Sequence, residues 1–335
     1  MKLSVLTTIF NGEPFIKDVI DSVLNQTFKN FEWIIVDDGS TDDTWNLLKD
    51  IDDERVQIHK LNTNHGVGFA SNIALKMAKG EYIAKVDVDD IYVRERFKIQ
   101  VDFLDSNPDI DVVDSFIDYF PHDEEAEKSS KYKYCQEIYS KYINRELTSK
   151  EIHEELYWGC IIINSVMMAR KNIVLEVGYC DEMSLAEDYY LFYKLNERNV
   201  KFFKIPITLA NVRIRKTSTT MVNSDKSKEL TESIKENFLI HYIKKDTRSL
   251  LIWGAGSYGE NILFYLEKKL NIQVEGFIDS NIDLDRKKKG DKTIFYFKNI
   301  DLKNYKIIVA STYKCEIVDS LRKMELKANE DFYVM

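Results

Sequence analysis

The sequence has few cysteines, no long apolar run and no excess of positive charge. Its four cysteines, Cys135, Cys160, Cys180 and Cys315, show neither metal-ligand nor redox spacing, which suits reduced thiols with packing roles. The longest nearly apolar run, residues 160–169, is interrupted by Asn164 and Ser165. It is too short to span a bilayer, so no transmembrane segment is expected and membrane contact would be peripheral. The start, Lys2-Leu3-Ser4-Val5-Leu6, is not a charged leader with an apolar stretch and a small-residue cleavage site, and a cytoplasmic location, reaching the inner face of the membrane, is expected. A formal net charge of -9 argues against broad affinity for nucleic acid or anionic lipid, and the basic stretches 128–133 and 286–289 read as solvated loops. What is there is 335 residues with 44% hydrophobic content, enough for two domains or one large one.

Strand and helix signals alternate from the start. Residues 2–8 read as a buried strand, and Asn11-Gly12-Glu13-Pro14 turns the chain into a helix with Phe15, Ile16, Val19, Ile20, Val23 and Leu24 on one face. Residues 31–36 form a second strand ending at Asp37-Asp38-Gly39-Ser40, after which Ser40 or Thr41 caps a helix. A strand at 56–61, a helix at 67–78 and a strand at 82–86 follow, which predicts a doubly wound parallel sheet whose ligands sit at the carboxyl ends of its strands. Thr8, Phe10, Asn11, Asp37, Asp38 and the run Val86-Asp87-Val88-Asp89-Asp90 then share one edge. Two acids at i and i+2 leaving a strand can converge on a hard cation, itself a natural partner of a diphosphate; a solvated acidic turn is the alternative. Beyond this edge, residues 109–119 and 160–169 read as strands, and 202–212 as further strands. The polar stretch 121–149 reads as a solvated helical excursion or an insertion near an acceptor.

The blocks Ser4 to Glu13, Leu24-Asn25-Gln26-Thr27-Phe28, Ile34 to Asp42, Asn64-His65-Gly66, Ala70-Ser71-Asn72, Ala78 to Ala84 and the Asp-Val-Asp-Asp run, in this order, resemble family 2 glycosyltransferases with the GT-A fold over roughly residues 1–220. The resemblance implies an inverting transferase of hexosyltransferase type. It would take a nucleotide-sugar donor, of the UDP class, and a hydroxyl acceptor on a glycan, a lipid carrier or a protein. By the same resemblance Asp188 is the catalytic base and Glu187 a supporting carboxylate, at the start of a helix where acids otherwise serve as dipole partners. Donor contacts are expected from Thr8, Phe10, Asn11, Asp38, Asn72, Asp87, Arg213 and Arg215. Phe10 would offer a flat face to the base, and Asp38 would accept from an imide N–H. Asp89, with Asp87, would hold Mn2+ or Mg2+. Two positions depart from the family: Ser71 stands where Arg is common, and Arg215 where His is common. A guanidinium cannot ligate a metal, so Arg215, with Arg213, is expected on the diphosphate.

After a long polar helix at 224–245 and a joint at 246–248, the alternation starts afresh: a strand at 250–253, Gly254-Ala255-Gly256-Ser257-Tyr258-Gly259, a helix, a strand at 274–278 and Asp279, with a further strand, helix and strand to the end. The expected division is a GT-A domain at 1–245 with a doubly wound mixed sheet, and a smaller Rossmann-like α/β domain at 246–335. Gly254, Gly256, Gly259 and Asp279 fit a second nucleotide site, or only a tight turn and close helix packing in a domain that binds an acceptor or another subunit. An oxidoreductase built on that fingerprint and an inactive transferase-like scaffold are the competing function classes.

Overall fold

The computed structural model describes residues 1–183, 185–215, 224–245 and 247–335, without the side chains of 224, 225, 227 and 228. Asp246, at the expected joint, and Lys216, Thr217 and Ser218, after Arg215, lie outside the described residues. The chain divides into two compact units, Met1–Ile234 and Lys235–Met335.

In the first unit, β1 (Leu3–Ile9), β2 (Phe31–Asp37), β3 (Val56–Lys60) and β4 (Tyr82–Lys85) pair in parallel in the order β3-β2-β1-β4. The sheet continues through β5 (Ile91–Tyr92), β6 (Val112–Pro121), β7 (Met168–Arg170) and β8 (Phe202–Ile214), giving β4-β7-β6-β8-β5. β7 runs antiparallel to both neighbours, so the sheet is mixed. The strands read as apolar runs because both faces are covered. Val5, Trp33, Ile35 and Ala84 pack with Val19, Val23 and Phe97 of the helices Ile16–Leu24 and Arg96–Ser106 on one face. Leu6, Ile34, Val36 and Ile83 pack with Ala70, Ala74, Leu191 and Phe192 of Val67–Met77 and Glu187–Glu197 on the other. Each fully buried large side chain contributes roughly 1.5–3 kcal/mol.

Three local expectations are corrected. Neither Ser40 nor Thr41 caps the helix Thr44–Lys49, because Ser40 accepts the Asn11 N–H and Thr41 donates to the Asn11 side chain. Residues 160–169 are mostly not strand: the turn Asn164–Val166 interrupts them, and only Met168–Arg170 pairs. Residues 202–212 are one strand, β8, and a register shift opposite Ser115, Phe116 and Ile117 gives it the irregularity that looked like a break. Residues 121–149 are helical: Glu124–Lys128, Ser130–Tyr134, a π-helical turn Cys135–Tyr139 and Ser140–Ile143.

In the second unit, β9 (Ser249–Trp253), β10 (Gly276–Asp279), β11 (Lys288–Lys289), β12 (Lys292–Tyr296), β13 (Tyr305–Val309) and β14 (Phe332–Val334) form a sheet in the order β11-β12-β10-β9-β13-β14. Every pair is parallel except β11 with β12. The helix Ser224–Lys244 crosses from one unit to the other, and its last turns belong to the second. Tyr242 stacks on Tyr333 at 5.7 Å and donates to the Asp331 carbonyl at 2.9 Å. Buried Lys306 satisfies the end of the same helix by donating to the carbonyls of Tyr242 and, at 2.9 Å, Ile243.

Candidate active site

The register of β1 with β2 and β4 brings Thr8, Asp37, Asp38 and the acidic run to one sheet edge. Asn11 takes a left-handed conformation, φ 51°, and its side-chain oxygen accepts the Thr41 N–H at 2.8 Å, tying the turn after β1 to the loop after β2. Phe10, 47% exposed, presents its ring outward from the same turn. Asp38 accepts the backbone N–H groups of His65 and Gly66, one on each carboxylate oxygen, at 2.9 and 2.8 Å. Asp38 is therefore already a clamp between two loops, with only its remaining lone pairs left for a ligand.

At the end of β4 the backbone is braced from below. The Tyr92 hydroxyl accepts the Asp87 N–H at 2.7 Å and donates to the Asp87 carbonyl at 3.1 Å, while buried Arg96 stacks over Tyr92 and donates to the Lys85 carbonyl at 2.8 Å. Burial pushes the Arg96 guanidinium down to about 10. Burial, with the Asp89 charge beside it and Lys85 opposing, pushes the Asp87 carboxyl up to about 6. Asp90, buried and held by the Arg213 N–H at 3.0 Å, is pushed well above the carboxylate range by desolvation and by its two acidic neighbours.

Asp89 carries the ion pair that the departure at Arg215 creates, with Nε to Oδ2 at 2.9 Å. The Arg215 guanidinium also lies 4.9 Å over the Phe15 ring. Arg213 donates from Nε to the Asp89 carbonyl at 2.8 Å and from Nη2 to Asp18 at 2.6 Å, over the ring of Phe120. Its side chain braces the acidic turn. Arg215, about a quarter exposed, has the freer guanidinium of the two.

Glu187 and Asp188 open the helix Glu187–Glu197 behind Ala186, which is left-handed at φ 59°. Burial raises both carboxyls, and the Asp188 charge raises Glu187 further. Asp188 accepts the Tyr189 N–H at 2.7 Å, and that bond and Lys85 draw it back down. Burial thus raises the Glu187 carboxyl to about 8, while the Asp188 carboxyl is raised and partly drawn back by its backbone bond and Lys85. Asn72 does not face open space: it donates to the Tyr179 carbonyl at 2.7 Å and to Asp181 at 2.6 Å, and accepts the Tyr179 N–H at 2.8 Å. It fastens the loop that leads toward Glu187.

The residue that sequence reading missed is Lys85. It is buried, donates to the Thr8 hydroxyl at 3.0 Å and the Ser71 hydroxyl at 3.4 Å, and senses the charges of Asp87, Glu187 and Asp188. Burial pushes its ammonium down. A lone lysine at the end of the apolar strand Tyr82-Ile83-Ala84 was the available signal.

Asp87 and Asp89 fit a divalent cation. Both are hard oxygen donors, and the burial that chiefly raises the Asp87 carboxyl, with the Asp89 charge adding to it, is offset by a nearby cation. Among the described residues no group of three potential ligands is assembled.

The second unit has a cavity of about 700 Å³ at the carboxyl ends of β9, β10 and β13, lined by the Gly254 to Tyr258 loop, Asp279, Phe297 and Tyr313 among others. Gly254, at φ 123°, and Gly259, against the Gly254 carbonyl, are required by the fold. Gly256 has ordinary φ and open space where a Cβ would stand. Asp279 accepts the N–H groups of Ala255 at 3.2 Å and Asn281 at 2.9 Å.

The family model for glycosyl transferase family 2 matches residues 4–178, more than half of the chain, and that for the N-terminal domain of C2185-like proteins matches 246–331. An uncharacterized glycosyltransferase of Rickettsia bellii is 31% identical over 227 residues, 67% of this chain and 30% of that protein. The Escherichia coli UDP-Glc:alpha-D-GlcNAc-diphosphoundecaprenol beta-1,3-glucosyltransferase WfaP is 41% identical over 104 residues, 31% of this chain and 41% of the relative. The chain thus spans well under half the length of these two curated relatives. Residues 1–349 of Staphylococcus aureus TarS in complex with UDP-GlcNAc share the fold, with a TM-score of 0.55, 23% identity, and coverage of 71% of this chain and 67% of that one.

Proposed function

The chain belongs to glycosyl transferase family 2, and on that premise we propose that it moves a sugar from a UDP-sugar to a hydroxyl, with inversion, using Asp188 as the base. The observation that carries this reading is the convergence on Lys85 of two distant parts of the sequence, the β4 carboxylate Asp87 and the Glu187–Asp188 pair. Phe10 and the remaining lone pairs of Asp38 receive the base, and Asp87 the ribose. Arg215 contacts the diphosphate, while Arg213 and Asn72 hold the walls in place. Mn2+ or Mg2+ held at Asp89, when bound, stabilises the charge that develops on the leaving diphosphate. Asp188 takes the acceptor proton as the new C–O bond forms, and protonated Glu187 keeps the charge of the pair on it. The UDP class is supported by the UDP-Glc and UDP-GlcNAc in the names of the E. coli relative and the TarS complex. The acceptor is a glycan, a lipid-linked carrier or a protein.

We assign residues 1–245 to the transfer and 246–335 to a Rossmann-like domain outside it. Gly254, Gly256, Gly259 and Asp279 are either a second nucleotide site, which the open space at Gly256 supports, or a tight turn with close helix packing, which the backbone of Gly254 and the contact at Gly259 support. The test is hydrolysis of a panel of nucleotide sugars with Mn2+ and with chelator, in the full chain and in Asp188→Asn. Turnover of a UDP-sugar that needs the cation and Asp188 is the expected result. Full turnover in chelator, or in Asp188→Asn, excludes the mechanism, and nicotinamide turnover instead would favour an oxidoreductase.

A further inference from the structure

Residues 121–149 fold against the acidic edge of the first unit. Cys135 and Ile143 are buried in the same core as Ile9 and Ile214. Gln136 donates to the Tyr119 carbonyl at 2.5 Å, and Asn144 bonds both the N–H and the carbonyl of Ile117, at 3.0 and 2.8 Å, much as a neighbouring strand would. Lys131 stands within electrostatic reach of Asp89 and Arg215. Burial pushes the Tyr139 hydroxyl up, and the Asp188 charge is among the groups that add to the shift.

Along this excursion runs a row of tyrosines. Tyr134 stacks on Tyr139 at 6.2 Å and 22°, and Tyr139 meets Tyr142 at 6.1 Å and Tyr119 at 6.4 Å. Tyr134 is 51% exposed and its neighbour Ile138 58%. In an ordinary helix of 3.6 residues per turn, positions five apart point well away from each other. The π-helical turn Cys135–Tyr139 closes i to i+5 instead and sets Tyr134 and Tyr139 on one side. Such turns are rare and concentrate at functional sites.

Resting on the transferase reading above, we infer that this row is the acceptor subsite and that it takes a pyranose ring. The apolar C–H face of the ring lies on exposed Tyr134, which Tyr139 backs, and the hydroxyl to be glycosylated is directed at Asp188. A pyranose has an apolar face and a hydroxyl rim, and a tyrosine row offers the matching pair, a ring face and a phenol that both donates and accepts. A lipid chain would call for a continuous apolar groove, whereas exposed Lys133, Gln136 and Glu137 stand around Tyr134 in the sequence of this segment.

The test uses the full chain with methyl glucoside and methyl N-acetylglucosaminide as probes, followed by saturation-transfer NMR, by transfer from a UDP-sugar, and by donor hydrolysis without acceptor. In Tyr139→Ala and Tyr134→Ala the ratio of transfer to hydrolysis is expected to fall about tenfold through a higher acceptor KM, with loss of saturation transfer to the ring protons. Tyr139→Phe is expected to retain both. An unchanged ratio and unchanged saturation transfer in both alanine variants overturns the subsite. If the unsubstituted chain turns over no nucleotide sugar, yet pyranoside contact is lost in Tyr139→Ala, the transferase reading and the acceptor role fail together and only a pyranose-binding site stands.

Discussion

The carboxyl edges of the two sheets are built from similar parts, parallel strands running into helices with acids at the turns, yet they differ in charge. At the first edge Asp87, Glu187 and Asp188 gather around buried Lys85, with Asp89 and Asp90 next to Asp87 and Arg215 paired to Asp89. At the second, Asp279 is tied down by two backbone N–H groups, and the residues lining the cavity include no lysine or arginine. Charge kept partly unsatisfied inside a protein is costly, so it persists where it has a task. The first edge keeps several interacting charges buried together, while the second is a shaped hollow whose Asp279 is held by its own turn and whose other acid is Glu316.

The largest test of that contrast pairs two acids. Asp188→Asn should lower transfer about 10²–10⁴-fold, and Asp279→Asn should leave it within about twofold, in steady-state assays of the full chain. Equal losses would erase the distinction. A smaller effect separates the glycines of the second edge by denaturant unfolding. Gly254→Ala forces a side chain into φ 123° against Ala310 and should cost about 1–3 kcal/mol, while Gly256→Ala should stay within about 0.5 kcal/mol. A large loss at Gly256 would mean that the fold, not a ligand, requires it. Arg215→Lys retains charge without the planar fork, and roughly tenfold weaker UDP-sugar binding by calorimetry is expected; unchanged affinity removes Arg215 from the diphosphate. The smallest effect is a displaced pH profile. Asp188 must be unprotonated to act, and burial raises it while Lys85 draws it down. In Lys85→Met the acid limb should therefore move to higher pH, with activity lost more at pH 6 than at pH 8, by roughly a few-fold. A uniform loss across pH would give Lys85 a purely structural role.

The glycosyl transferase fold was legible because the apolar strands at Leu3–Ile9 and Phe31–Asp37 and the helix faces between them carry strong periodic signals, and because the motif blocks follow one another in order. The caps were less legible. Ser40 and Thr41 sit in good capping positions by sequence, but Asn11, from a different turn, competes for them. Asn72, Asp38 and Arg213 could be marked as polar residues near a site, yet their hydrogen bonds reach residues 27 to 195 positions away and tie loops together, which no local pattern shows. The ties of the helix before the expected joint were not legible either. A joint at 246–248 fits the composition, but Tyr242 and the acceptors of Lys306 place the end of the preceding helix in the second unit from Lys235 onward.

By itself the sequence determined the family, the alternation of strands and helices, and the chemistry available at the first edge, since periodic burial and local turn chemistry act over a few residues. Only the tertiary structure decided how those groups are placed: that Lys85 stands among three carboxylates, that Arg215 pairs with Asp89, and that a π-helical turn sets Tyr134 and Tyr139 on one side. Desolvation and charge coupling depend on what packs around a group in space, and those neighbours come from strands and helices that the chain brings together only on folding.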